Sequence, residues 1–439
     1  MTQGNTTFVV GTPTWANACV GENGFPDYWD YAKGFSQAAV LLINTALQGR
    51  GLKHSVDELV YPVCFNMRHS VELRLKGAIT ELSQIEEFRA RKLDFDLVRS
   101  HDVGNIWSFF VEISKMVDDR YIPIIARLDK KISDFAEVDA TGQTFRYPLN
   151  TESQKHLVDV SIINFVQLKR SFSFLESALD ELHCLNKYLC REYAWGTFTK
   201  NLSRKNLFEL VSLLPPRHTW SDESFDIVRN RIKEKFKIGS KELSDSIKII
   251  ETHFEFAPLI EMSMPLLGVI DSDIDEFFRH WFKQHNLPSD TDPIDLDASE
   301  WEGDAIFESI DKDSRIHEEV WRLVKPNLTP EKMAGLSSLF YFGHEPDFSE
   351  HYQDIFELNL REAKAANEDS EVSFRSKFFH IYDKTNAVYN ILRSLYFLRR
   401  PESADHLVTS YNLNQKFSWL DEARSRSLFS KPDYCGYSI

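Results

Sequence analysis

Apolar residues recur at intervals of three or four positions along most of the chain, which is the period of one face of an α-helix. In the first 190 residues this interval predicts helices over 28–47, over 61–80, after residue 102, and over about 159–188. No segment among these residues shows the strict alternation of a half-buried strand. We therefore expect an all-α fold that begins with a helical bundle.

The second predicted helix, over 61–80, carries an unusual density of charge. Arg68, Glu72 and Lys76 are four positions apart and therefore lie on one helix face, which predicts at least a ladder of ion pairs. Pro62 suits the first turn of this helix, where no backbone donor is needed. The run after Thr80 contains no helix breaker, so it either continues this helix or forms a third one.

Composition changes along the chain and suggests where the regions meet. Residues 196–250 hold 11 Lys or Arg against 7 Asp or Glu, and a helix, a short turn at 237–240 and a second helix are typical of a helix-turn-helix element. Residues 286–320 hold 12 acids and 2 bases, which is typical of a solvated linker or loop. Further helices are predicted over 331–342, 349–366 and 372–398.

Clustered Asp, Thr, Gly and Pro predict a loop over 132–150, inside the helical bundle.

The patterns of composition and spacing divide the chain into five regions. The regions are an irregular lead-in at 1–25, a helical bundle at 26–192, a basic helical region at 193–285, an acidic linker or loop at 286–320, and a C-terminal helical region at 321–439.

The overall charge limits the kinds of partner that the protein can have. The formal net charge of −16 argues against a chain that coats nucleic acid or anionic membrane along its length, although a local basic groove remains compatible with it. A hydrophobic content of 42% and an aromatic content of 13% indicate a folded protein. No apolar run reaches the ~18 residues that span a bilayer, and the N-terminus lacks a signal-peptide pattern, so we expect a cytoplasmic location and no membrane partner.

No cofactor or metal site is predicted. The five cysteines show no CxxC spacing, which argues against a disulfide framework or a zinc site. Asp271, Asp273 and Asp275 alternate as in a calcium loop, but Glu276 stands where the turn needs glycine. Neither a P-loop nor an HExxH motif occurs, so nucleotide hydrolysis of the P-loop kind is excluded.

Two short motifs resemble the HEPN family of prokaryotic toxin–antitoxin and phage-defence proteins. The first is RHSVELRLKGAI in the second predicted helix, and the second is SHDVGNIW at the start of the next one. The order of helices, and the sequence FRYP before the last long helix, are also similar to the family over about residues 25–190. The resemblance implies a helical bundle, a homodimer or a partner protein, and RNA as the ligand.

One feature of catalytic HEPN ribonucleases is absent. Those enzymes carry an arginine, a polar residue and, four to six positions later, a histidine. Here Arg146 is followed by Tyr147, and the nearest downstream histidine is His156, ten positions after Arg146. If the chain cleaves RNA, other residues must therefore supply the acid, the base and the phosphate contacts.

Metal-independent RNA cleavage needs a base, an acid and cations that bind phosphate. Histidine supplies the acid and the base near neutral pH, and arginine supplies a permanent positive charge. The candidate catalytic residues are His69, His101, Arg68 and Glu72, with Glu72 as the residue that orients the others; the candidate substrate-binding residues are Arg146, Arg74 and Lys76.

Two functions follow from these observations. The first is an endoribonuclease of a defence or toxin–antitoxin system, with its site formed across a homodimer as HEPN sites often are. The second is a non-catalytic dimerisation or partner-binding subunit of a defence complex, in which the charges of the second helix form an internal network. The fold discriminates between them, because a catalytic set must converge in an open cleft.

Overall fold

The chain divides into two helical units, Met1–Ala194 and Trp195–Ile439, and the division lies beside the predicted boundary at 192. The computed structural model of the protein describes residues 6–21, 23–149, 153–157, 160–285 and 303–437, with the backbone alone for 303–313. These described residues contain sixteen α-helices and no strand, so the predicted all-α fold is confirmed. In the same part of the chain, no helix has both the length and the apolar character needed to cross a bilayer.

The described residues of the N-terminal unit contain five α-helices, and α2 packs against each of the other four. The helices are α1 (Tyr28–Gln48), α2 (Val56–Phe88), α3 (Val103–Val117), α4 (Tyr121–Asp139) and α5 (Phe165–Ala194). Aspartates cap the N-termini of two of these helices. Asp27 forms a capping box at α1, and the Asp102 carboxylate accepts a hydrogen bond from the Asn105 backbone amide at α3.

Helix α2 is longer than the sequence pattern predicts. It begins at Val56, so the prediction that Pro62 occupies its first turn is wrong, and Pro62 lies in the second turn. Proline that close to an end removes only one backbone hydrogen bond, and neighbouring helices hold the rest of α2 in place. The run after Thr80 continues α2 as far as Phe88 rather than forming a separate helix.

Two other boundaries also differ from the prediction. The predicted loop over 132–150 is shorter, because α4 continues to Asp139 and buries Ile132 on the same face as Leu128. Ser133 and Glu137 of this segment are exposed on the helix and do not break it. Helix α5 begins at Phe165, so the predicted start near 159 is too early: residues 160–164 are described and are not helical, and residue 159 itself lies outside the described residues.

The C-terminal unit contains the remaining eleven helices of the described chain. They are α6 (Arg204–Val211), α7 (Ser224–Phe236), α8 (Ser240–Thr252), α9 (Asp271–Gln284), α10 (Gly303–Val324), α11 (Pro330–Phe342), α12 (Glu350–Asp369), α13 (Glu371–Tyr382), α14 (Ala387–Phe397), α15 (Pro401–Ser410) and α16 (Leu420–Arg424).

Three predictions for this unit can be compared with these helices. Helices α7 and α8 confirm a helix pair around the predicted turn, in which Lys237 adopts a left-handed conformation. The helix predicted over 372–398 is divided into α13 and α14, because the polar residues 383–386 form a turn. The predicted acidic linker or loop lies outside the described residues from 286 to 302, and from Gly303 onward it is helical.

Candidate functional site

The carboxylate of Glu72 lies at the centre of a cluster of basic side chains. Lys76 Nζ is 2.9 Å from Oε1 of Glu72, and the Arg68 guanidinium forms an ion pair with Oε2. His101 Nδ1 lies 3.0 Å from Oε1, and His69 Nδ1 lies 3.9 Å from Oε2. We call these five residues the Glu72 cluster. The structure therefore brings together four predicted catalytic residues and one predicted substrate-binding residue.

The spacing on α2 explains how most of the cluster is assembled. Arg68 and Lys76 lie one turn before and one turn after Glu72, so all three share one helix face, as predicted. His101 comes from the segment before α3, where the next residue, Asp102, caps the helix. This cap fixes the backbone direction next to residue 101, and the imidazole of His101 lies beside the carboxylate of Glu72.

Arg68 is fully occupied by contacts within the unit. Its side chain is 3% exposed, and its Nε and Nη2 atoms donate hydrogen bonds to the backbone carbonyls of Asp139 (3.2 Å) and Ala140 (2.7 Å). Nη2 also donates to the carbonyl of His101. Because all of its nitrogens are engaged in these contacts, Arg68 joins α2 to the end of α4 and the start of α3 and does not present its charge to a ligand.

Gly142 covers one side of the same guanidinium. Its φ of +78° is in the left-handed region, and a Cβ atom there would lie 3.1 Å from Nη1 of Arg68. Glycine is therefore required at this position both for the backbone conformation and for the close approach of the two groups.

The cluster keeps Glu72 ionised. Burial alone would raise the pKa of its carboxyl group, but the side chains of His69, Lys76 and His101 and the charge of Arg68 outweigh burial and hold this pKa well below its usual value. Lys76 is itself buried, so its ammonium group balances the buried carboxylate rather than facing solvent.

The two imidazoles are the parts of the cluster that reach solvent. The side chain of His101 is 60% exposed and that of His69 is 30% exposed, whereas Arg68, Glu72 and Lys76 are buried. The His69 ring contacts Phe35 edge-on, with ring centres 4.5 Å apart, and stacks on Phe65 at 5.7 Å. The surface of the cluster therefore consists of two histidines above a buried carboxylate.

The other predicted substrate-binding residues do not join the cluster. Arg146 is exposed, and its guanidinium lies 5.4 Å from the ring centre of Phe65, the ring that also contacts His69. Arg74 is buried against α5, where it pairs with Glu176 at 3.9 Å and with Asp180. Of Arg74, Lys76 and Arg146, only Arg146 is exposed enough to contact a phosphate.

A second charged cluster lies in the C-terminal unit, and the sequence analysis does not predict it. The Arg204 guanidinium pairs with both Glu255 and Glu350, and His253 Nε2 lies 3.0 Å from Oε1 of Glu350. We call these four residues the Arg204 cluster. They are distant in sequence, and only the His253–Glu255 spacing gives a local signal.

The Arg204 cluster has the donor atoms of a metal site, but its charge does not fit one. The ligand atoms of His253, Glu255 and Glu350 lie within 4.8 Å of one another. The fully buried Arg204 guanidinium already pairs with both carboxylates, and the Ser349 backbone amide donates a further hydrogen bond to Glu255 at 3.2 Å. A divalent cation placed here would be repelled by the guanidinium.

No family model, curated protein or solved structure matches the chain. The HEPN resemblance therefore depends on the two short motifs and the helix order, and it stays a prediction. The arguments for function that follow depend on the geometry of the described residues.

Proposed function

We propose that the N-terminal unit is a metal-independent endoribonuclease whose acid–base residues are His101 and His69. One observation carries the proposal: the exposed His101 imidazole has Nδ1 3.0 Å from the buried, ionised carboxylate of Glu72. An ionised carboxylate accepts a hydrogen bond from Nδ1–H and so favours the tautomer in which Nε2 is an acceptor. This is the arrangement of a histidine that acts as a general base.

The chemistry assigns a task to each exposed group. His101 Nε2 accepts the proton of a ribose 2′-hydroxyl, the 2′-oxygen attacks the adjacent phosphorus, and the 5′-oxygen leaves with a proton from the second histidine. His69 is suited to be that second histidine, because it contacts the other oxygen of Glu72. Arg146 is an exposed cation that lies over Phe65, the ring that also contacts His69, and it binds the phosphate.

The biological setting of the proposal comes from the resemblance alone. A HEPN-like ribonuclease belongs to a prokaryotic defence or toxin–antitoxin system, acts in the cytoplasm where its RNA substrate is, and often forms its site across a homodimer. In the present chain a second protomer would supply further cations, since Arg68 and Lys76 are already paired with Glu72.

A non-catalytic role is the second candidate, and one observation favours it. Arg68, Arg74 and Lys76 are buried in ion pairs within the unit, which leaves Arg146 as the one exposed cation of the predicted set. A phosphate-cleaving site normally presents several cations to its substrate. In this second candidate function, the unit is a dimerisation or partner-binding module, and the Glu72 cluster stabilises it.

An RNA-cleavage assay in EDTA distinguishes the two candidates. The full chain is incubated with total tRNA and with a single-stranded RNA, and the His101→Ala variant is compared with wild type. Loss of a general base lowers the rate by about 10²–10⁴-fold. His54→Ala is the matched control, because His54 is an exposed histidine of the same unit outside the cluster.

Each result supports one candidate. Cleavage that persists in EDTA, is retained by His54→Ala and is lost in His101→Ala supports the ribonuclease. Absence of cleavage by wild type, or equal cleavage by His101→Ala, contradicts the catalytic proposal and favours the partner-binding module. Co-purification from the native host would then identify the partner.

A further inference from the structure

The segment before α1 is apolar, and every described residue of it is exposed. Residues 6–21 and 23–27, which we call the arm, lie against no part of the helical bundle that buries them. Residues 6–21 contain no charged side chain. Five large apolar side chains of the arm are 62–100% exposed: Val9, Val10, Trp15, Val20 and Phe25. A contiguous apolar surface of this kind marks a site of protein interaction, because a segment that stays in solution is normally polar or charged.

The middle of the arm is a closed loop that presents Trp15. The Asn17 side chain accepts a hydrogen bond from the Gly11 amide at 3.0 Å and donates hydrogen bonds to the carbonyls of Gly11 (2.9 Å) and Thr14 (3.1 Å). Trp15 lies within this loop, in a short 3-10 helix, and is 86% exposed. Tryptophan is among the residue types most enriched at the energetic centres of interfaces, and a preformed loop loses little conformational entropy on binding.

An apolar groove of about 820 Å³ lies in the same unit, beside the starts of α2 and α5. We call it the α2–α5 groove. Most of its lining residues are apolar, and several of these are 39–87% exposed: Val56, Tyr61, Tyr147, Leu149 and Ile162. Its volume is within the range of sites that enclose a ligand larger than an indole ring. The unit therefore has two unpaired apolar surfaces, the arm and the groove.

The arm of a chain begins far from the groove of the same chain. It joins α1 at Tyr28, which packs against Gly77 of α2, whereas the groove lies at the start of α2, roughly 25–30 Å away along the helix axis. The ten residues between Asn17 and Tyr28 span at most about 36 Å when fully extended. They are not extended here, because the backbone turns at Gly21 and Gly24, where φ is +65° and +119°. Trp15 therefore does not reach its own groove while these turns persist.

We propose that two copies of the chain associate by exchanging their arms, with Trp15 of each copy inserted in the α2–α5 groove of the other. A two-fold axis perpendicular to α2 places the start of α1 in each copy beside the groove of the other copy. Such an interface is self-complementary, as closed dimers require. Each of the two apolar surfaces then covers the other.

The apolar area of the arm is sufficient for a stable dimer. Burial of Trp15, Phe25 and the three valines removes roughly 500–850 Å² of arm surface from water. Two arms, each covering a similar area of the other copy, bury roughly 2,000 Å² or more, whereas specific interfaces begin at about 1,200 Å². The charged groove residues Asp57, Arg146 and Lys155 are all exposed, so they stay hydrated at the edge of the contact.

The inference goes beyond the proposed RNA cleavage and does not depend on it. The guanidinium of Arg146 lies over Tyr147, which lines the groove, and over Phe65, which does not. An exchanged arm therefore lies next to the proposed RNA site of the other copy. The test uses no RNA, so its outcome is independent of whether the chain is a ribonuclease.

Sedimentation velocity of the full chain, from about 1 to about 50 μM, tests the proposal. Wild type is expected to form a dimer in this range. Trp15→Ala removes the centre of the contact and Ile162→Asp places a charge in the groove, so each should weaken dimerisation at least about tenfold. Val372→Ala is the matched control, because Val372 is an apolar residue of α13 that is 75% exposed, and it should dimerise as wild type does.

A one-to-one mixture of the two variants shows whether the arm is exchanged. The Ile162→Asp chain has an intact arm, and the Trp15→Ala chain has an intact groove. A mixed dimer with one complete contact should therefore form at concentrations where each variant alone is monomeric. Its formation also shows that both variants are folded, which separates a lost contact from a lost fold.

Three results would overturn the proposal. The first is a wild-type chain that stays monomeric over the whole range, which would assign the arm to a different protein. The second is dimerisation of Trp15→Ala or Ile162→Asp with the affinity of wild type. The third is a mixture that dimerises no better than the separate variants, because arm and groove would then not meet between copies.

Discussion

The Glu72 cluster and the Arg204 cluster use the same residue types but differ in their access to water. Each places an arginine and a histidine against buried carboxylate oxygens. The His101 side chain is 60% exposed, whereas that of His253 is 8% exposed. Ion pairing alone therefore does not indicate function. A cluster buried from solvent stabilises the packing of helices, whereas a cluster with an exposed side chain can also contact a substrate.

The largest effect on stability is expected from opening the closed cluster. Arg204→Ala leaves Glu255 and Glu350 buried without their guanidinium partner, and we expect the free energy of unfolding to fall by about 3–5 kcal/mol. Urea unfolding followed by tryptophan fluorescence measures the change. Arg217→Ala is the control, because its ion pair with Glu251 is partly exposed and should contribute at most ~1 kcal/mol. If the free energy of unfolding fell equally in the two variants, buried and exposed ion pairs would contribute equally to stability.

A smaller effect, with a characteristic pH dependence, is expected from Glu72→Gln. At pH 7 the variant loses the carboxylate that Arg68 and Lys76 require, which costs about 3 kcal/mol. The folded-state pKa of Glu72 is below its unfolded value of about 4.3, so the stability from its ionised form is fully present above that pH and is lost as the pH falls.

The difference between wild type and Glu72→Gln should therefore narrow at acidic pH. Urea unfolding at pH 7, 5 and 3.5 gives this difference directly. A constant difference across the three values would mean that the charge of Glu72 is not what stabilises the N-terminal unit.

The smallest effect on stability is expected from His101→Ala. The imidazole is mostly exposed, and alanine keeps the backbone carbonyl that accepts from Arg68, so the free energy of unfolding should change by less than ~1 kcal/mol. The same urea titration measures it. Together with lost RNA cleavage, an unchanged stability would assign His101 to chemistry, whereas a loss of several kcal/mol would assign it to the fold.

Local spacing predicted much of the Glu72 cluster because helix geometry depends on neighbours in sequence. The four-residue interval placed Arg68, Glu72 and Lys76 on one face, and the structure confirms it. The same interval does not say whether that face points to solvent or to the interior. The burial of Arg68 and Lys76 depends on α3 and α4, and the carbonyl acceptors at Asp139 and Ala140 carry no side-chain signal at all.

The Arg204 cluster could not be predicted from the sequence for a different reason. Arg204 and Glu350 are 146 positions apart, and a single sequence does not indicate which of many arginines and glutamates will meet. The predicted helix ends were closer to the structure: the helix predicted from residue 61 begins five residues earlier, at Val56.

The hydrogen bonds of Arg68 also bear on the order in which the N-terminal unit folds. Its three carbonyl acceptors are 33, 71 and 72 positions away in sequence, so they become available only after α3 and α4 have docked on α2. Contacts between distant positions carry a loop-closure cost and tend to form late. Interactions that form after the transition state mainly slow unfolding. We therefore expect the hydrogen bonds of Arg68 to slow the unfolding of the N-terminal unit more than they speed its folding.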